Sequence, residues 1–128
     1  MTQKTDVSIS RIHTVAIPVI DQERALDFYG GTLGFELRRD ATFGPGFRWI
    51  ELAPPGAETT IALPPPHPGV KAGVDTGLRL AVSDAKSAHS ALAAAGVEVD
   101  EVLDVPGAPP MFFVKDPDGN TLVIVQGD

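Results

Sequence analysis

Residues 9–17 alternate, with Ile9, Arg11, His13, Val15 and Ile17 on one side and Ser10, Ile12, Thr14 and Ala16 on the other. A period of two over apolar and small residues predicts a β-strand with both faces partly buried. Pro18 ends it. Asp21 is suited to cap a helix N-terminus, and Glu23 adds negative charge to the first turn. Ala25, Leu26, Phe28, Tyr29 and Leu33 then recur at helical spacing as an apolar stripe. Gly30 and Gly31 weaken this helix near its end, and Gly34 closes it. Short apolar runs predict strands over residues 35–39, 47–52 and 59–63. Turn residues separate them, at Phe43-Gly44-Pro45-Gly46 and Pro54-Pro55-Gly56.

Residues 64–69, Pro-Pro-Pro-His-Pro-Gly, enter neither a helix nor a central strand, and they start a stiff extended linker over 64–75. The pattern then begins again. A strand at 77–82 leads to Ser83 in the capping place that Asp21 held, a helix at 85–95, Gly96 as its stop, and strands at 97–102, 110–114 and 121–126. The last two strands flank Asp116-Pro117-Asp118-Gly119, which has the chemistry of a tight hairpin turn. Thirteen residues separate Asp21 from Gly34 and Ser83 from Gly96. A β-α-β-β-β order occurring twice, with matched caps, is an internal repeat. The expected fold class is α+β: tandem βαβββ modules at 9–63 and 76–126 make one domain, 9–126, as an open, curled mixed sheet around a cleft.

Composition changes this picture little. The 128-residue chain is 43% hydrophobic and 21% charged, enough for a packed core. Its net charge of −7, with basic residues dispersed along the chain, leaves no electrostatic footprint for nucleic acid or an anionic membrane. Without cysteine it has no disulfide, thiolate metal site or cysteine nucleophile. No apolar run approaches the roughly 18 residues of a membrane span, and the polar start at 1–8 lacks signal-peptide character. The expectation is a cytoplasmic protein.

Three segments carry a family resemblance: Ile12-His13-Thr14-Val15; Arg24-Ala25-Leu26-Asp27-Phe28-Tyr29 with Leu33-Gly34-Phe35; and Asp116-Pro117-Asp118-Gly119-Asn120. In order and spacing, over residues 9–126, the chain resembles the vicinal oxygen chelate superfamily, which includes glyoxalase I, extradiol dioxygenases, fosfomycin-resistance enzymes and bleomycin-binding resistance proteins. The resemblance implies paired βαβββ modules and a homodimer. For the enzymes it also implies a divalent metal such as Mn, Fe, Ni or Zn, held by a His on the first strand, a Glu on the fourth, a His opening the fifth and a Glu on the last. The metal would stabilise an enediolate or alkoxide as a Lewis acid. His13 matches the first position. Ala62, Gly77 and Val123 fall at the others, and a slip at the fifth strand would offer Thr76 or Asp75. The last strand has no carboxylate from Asn120 to Gln126. The usual metal site is therefore expected to be degenerate, with no cofactor assigned.

If His13 faces the cleft, alternation brings Arg11, Val15 and Ile17 with it. Leu78, Leu80 and Val82 suit the helix-covered face, which turns Arg79 toward the cleft. Ile50 and Leu52 under the helices leave Trp49 and Glu51 facing inward, and Val123 and Val125 form an apolar wall. Met111, Phe112 and Phe113 split between core and cleft in a direction the pattern leaves open. Each candidate has a plainer role: His13 as a hydrogen-bonded histidine, Arg79 and Glu51 as a surface ion pair, Trp49 as core or interface. Neither His67, among prolines, nor His89, on a helix, is taken as a ligand.

The favoured function is a metal-independent protein that binds a small aromatic or amphipathic molecule in the cleft. The alternative is an enzyme. It would be a glyoxalase-like lyase or isomerase with non-standard metal ligands, or a metal-free catalyst using His13 as general base while Arg79 or Glu51 holds the substrate. A module that only dimerises is a third reading.

Overall fold

The computed structural model describes residues 3–65 and 67–127. Met1 and Thr2 of the polar start and Pro66 of the predicted linker lie outside the described residues. The first half comprises β1 (Thr14–Ala16), α1 (Gln22–Leu26) running on into a π-helical segment (Asp27–Thr32), β2 (Glu36–Thr42), β3 (Arg48–Ala53) and β4 (Thr60–Leu63). The second comprises β5 (Asp75–Val82), α2 (Ala85–Ala94), β6 (Met111–Lys115) and β7 (Thr121–Gln126). Strand order is β1-β4-β3-β2 in one sheet and β5-β7-β6 in the other. β1 runs parallel to β4 and β5 to β7, and the remaining pairs are antiparallel. The α+β class with open mixed sheets is as the sequence predicts.

Three expectations need correction. The first strand covers 14–16, not 9–17, because β4 supplies only a short edge to pair with. Ile9 and Ile12 are left 82% and 67% exposed. Residues 97–102 form no strand: Val99 bridges Val114 and Leu103 bridges Met111, in registers one residue apart, so no continuous ladder closes. The segment instead runs beside β6, with Val97, Val99 and Val102 packed against the core. The cap of α2 is Asp84, whose carboxylate accepts from the Lys86 and Ser87 amides, and not Ser83. The two halves are therefore one residue out of step between cap and closing glycine. The π-helical segment absorbs that residue, as the Leu33 amide reaches back five residues to the Phe28 carbonyl. Gly34 and Gly96 both end their helices with positive φ, 77° and 83°.

Both sheets turn one face toward the helices. Ile17, Ile50, Leu52, Ile61 and Leu63 from the first sheet and Phe112, Val114, Leu122 and Ile124 from the second join Ala25, Phe28 and Tyr29 in one buried cluster. A buried polar network ties the halves together across the 116–120 turn. Tyr29 donates its hydroxyl to Asp116 (2.8 Å), and Asp116 also accepts from the Asp118 and Asn120 amides and the Asn120 side chain. Burial, reinforced by the Asp116 carboxylate, pushes the Tyr29 phenol far above its ordinary range. Arg24 donates to Asp118 at 2.9 Å. These bonds fasten the first helix and its π-helical extension to the turn between β6 and β7.

Candidate functional site

Strand pairing decides which residues share the sheet face opposite the helices. Thr14 stands opposite Thr60, and Ala62 opposite both Ala16 and Glu51. Cross-strand partners point the same way, so these five lie together, away from the core face of Ile50, Leu52, Ile61 and Leu63. Trp49, two residues before Glu51, joins them. The Trp49 indole donates to Glu51 Oε2 at 2.7 Å, and the Thr60 hydroxyl donates to Oε1 at 3.0 Å. Glu51 is only 5% exposed. Burial raises its pKa, but the hydrogen bonds from Trp49 and Thr60 and the charges of His13 and Arg39 outweigh that, holding the carboxyl below its ordinary value. The centre of this face is a buried, ionised carboxylate fixed between an indole and a hydroxyl.

The predicted lining from the first strand is only partly right. His13, at the entry to β1, places Nε2 3.8 Å from Glu51 Oε1, with its side chain 62% exposed. Ile17 is wholly buried in the core, Val15 lies on the face opposite Thr14, and Arg11 is exposed before the strand begins. Alternation cannot be extended from His13 because the ladder starts one residue later. Thr14 takes the inward place the sequence reading gave to its neighbours. Its hydroxyl oxygen is buried and makes no hydrogen bond among the described residues. The signal was available in the core positions Ile17 and Val19, which fix the parity of Thr14.

On the second sheet, Leu78, Leu80 and Val82 pack against the core as expected. Arg79, Val123 and Phe113 stand side by side across β5, β7 and β6 on the other face. Val123 is buried and Val125, opposite Met111, is half-buried. Arg79 is exposed and donates to the Gly77 carbonyl at 3.0 Å, so the suggested Arg79–Glu51 ion pair does not form; the two residues belong to different sheets. Trp49 lines a groove of about 240 Å³ with Pro18, Phe47, Pro64, His67 and Val70. A separate groove of about 470 Å³ lies between β5 and α2, on the helix side, walled by Leu33, Phe35, Pro54 and Leu92 and touched by Arg79. Glu51, His13, Val123 and Val125 line neither groove, and the predicted lining is divided between the two sheets. His89 binds the Asp100 carbonyl through Nε2 at 2.9 Å and sets its ring edge-on to Phe112.

The residues do not fit a chelated metal. Of the positions that the resemblance assigns to ligands, Ala62, Gly77 and Val123 carry no donor. The alternatives are engaged locally: Asp75 accepts from the Gly77 amide, and Thr76 donates to the Thr121 carbonyl. Among the described residues no three His, Cys, Asp or Glu side chains converge on a point where an ion would sit. The described helices include none long and apolar enough to cross a membrane.

Residues 11–124 match the family model described as Glyoxalase/Bleomycin resistance protein/Dioxygenase superfamily. A crystal structure of a member of that superfamily from Sphaerobacter thermophilus superposes with a TM-score of 0.86 at 36% identity, covering 93% of this chain and 98% of that one. TnmS3, an antibiotic binding protein from Streptomyces sp. CB03234, gives 0.83 at 35% identity over 95% of this chain and 99% of its own. The uncharacterized protein YetH of Bacillus subtilis is 42% identical over 57 residues, 44% of this chain. That match spans about half of YetH, 48% of its length.

Proposed function

Because the chain belongs to the Glyoxalase/Bleomycin resistance protein/Dioxygenase superfamily, we propose that it is a metal-independent binder of a small aromatic or amphipathic molecule, with the family's metal site degenerate. The observation that carries this reading is the composition of the sheet face around Glu51. It presents an indole, a fixed carboxylate and hydroxyls, with Ala62 at the one ligand position on this face, while Gly77 and Val123 on the second sheet carry no donor either. Such a surface holds a molecule by apolar contact and a few directed hydrogen bonds. The antibiotic binding protein TnmS3, similar over nearly its whole length, supports binding over turnover.

The working unit in this proposal is a homodimer of a single domain spanning 9–126. β1 and β5 each pair on one side only, and exposed Ile9 and Ile12 precede β1 in the chain. A second copy laid along these edges would bring its Arg79–Val123 face opposite the Trp49–Glu51 face and complete a two-walled cleft. The acidic chain is suited to neither nucleic acid nor an anionic surface.

The test uses the single tryptophan as reporter. Untagged protein titrated with flat aromatic compounds, acridine and anthraquinone among them, is expected to show saturable quenching of Trp49 and to return the compound unchanged. By calorimetry, Trp49→Ala should weaken binding about tenfold, the order of one lost aromatic contact. No saturable response to any of these compounds, or conversion of one to product, overturns the reading.

A further inference from the structure

We infer that the molecule bound on this face carries a cationic group, a protonated amine or amidinium, that docks on Glu51 while its ring lies against Trp49. The inference rests on the binding function proposed above and names the chemistry of the ligand. A carboxylate offers about four acceptor sites. Glu51 uses one on each oxygen, for Trp49 and Thr60, and is nearly inaccessible to bulk water. A buried carboxylate left with half its acceptor capacity open carries a desolvation cost that further donors would offset, and charged donors do so most strongly.

Among the described residues, no cation of the chain supplies those donors. The His13 ring stands 3.8 Å away, beyond hydrogen-bond length, and Arg39, opposite Glu51 on β2, lays its guanidinium over the Phe43 ring at 5.1 Å. The Trp49 bond fixes the carboxylate and the indole relative to one another, so charge recognition and an aromatic surface come as one preformed unit. A second observation points to the same place. The Thr14 hydroxyl, beside Thr60 on the adjoining strand, is buried and has no hydrogen-bond partner among the described residues. The net charge of −7 favours the approach of cations over anions.

The experiment compares two flat tricyclic probes of similar shape on the full chain: proflavine, a cation near neutral pH, and acridine, uncharged at slightly alkaline pH. Proflavine is expected to bind about tenfold more tightly than acridine, the order of one charge-assisted hydrogen bond. Added salt should narrow the gap. Glu51→Gln, which keeps an acceptor for Trp49 or Thr60 but removes the charge, should abolish the advantage of proflavine over acridine. Equal affinity of the wild-type protein for both probes overturns the inference, and needs no variant to fold. An advantage that persists in Glu51→Gln overturns it as well. If acridine binds and proflavine gains nothing, the binding function stands and the cation does not; if neither probe binds, both fail.

Discussion

Asn120→Ala is expected to cost about 3 kcal/mol of folding stability, because a fully buried side chain loses four hydrogen bonds. Asn120 is fully buried. Its side-chain oxygen accepts from the Gly73 and Val74 amides at 2.9 and 3.1 Å, and its nitrogen donates to the Pro18 carbonyl at 2.7 Å and to Asp116 at 2.9 Å. One side chain therefore joins the end of the first strand region, the segment leading into β5 and the 116–120 turn. Alanine would remove the partner of two amides and a carbonyl whose bonds are part-buried, and of the buried Asp116 carboxylate; a polar group left unpaired and closed to water costs about 1–3 kcal/mol, and one that water reaches costs less. Urea unfolding measures the loss. A change below about 1 kcal/mol would mean that these groups rearrange to find other partners.

Phe112→Ala is expected to cost a similar amount, about 3–5 kcal/mol. Phe112 has no exposed surface, sits in the shared core and meets the edge of His89 at a centroid distance of 5.1 Å. The neighbouring Phe113 points to the opposite face beside Val123 and is only half-buried. Phe113→Ala should therefore cost about 1–2 kcal/mol, because less surface leaves water on folding. Equal losses for the two would contradict the division of this strand into a core face and an opposite, half-buried face.

That division marks where the sequence was legible. Helices, hairpin and the β-α-β-β-β order of the first half follow from caps, glycines and short-range apolar spacing, which act locally. The facing of Trp49 and Glu51 follows because Ile50 and Leu52 have only one side on which to bury. The facing of β1 does not, because residues 9–13 continue the alternation beyond the point where β4 can pair, and parity counted from His13 gives the wrong side for Val15 and Ile17. Residues 97–102 read as a strand for a similar reason: valines at 97, 99 and 102 pack as a strand's would, while a one-residue change of register beside β6 breaks the ladder. The one-residue offset between the halves is equally hidden, since Ser83 and Asp84 are both good caps and the π-helical segment compensates over a turn away. The joining of halves through Tyr29, Asp116 and Asn120 depends on tertiary contacts between residues up to 102 apart. So does the separation of Glu51 from Arg79.

The most direct test of binding without a metal is the affinity for acridine, followed by Trp49 quenching, of untagged protein treated with a chelator and then resupplied in turn with Ni, Zn, Mn and Fe(II). The same dissociation constant before chelation, after it and after each addition is the predicted result. Binding that is lost with the chelator and restored by one of the metals would contradict it, and would mean that Glu51 and His13 recruit further ligands, from a second copy of the chain, to build a site that one chain does not hold.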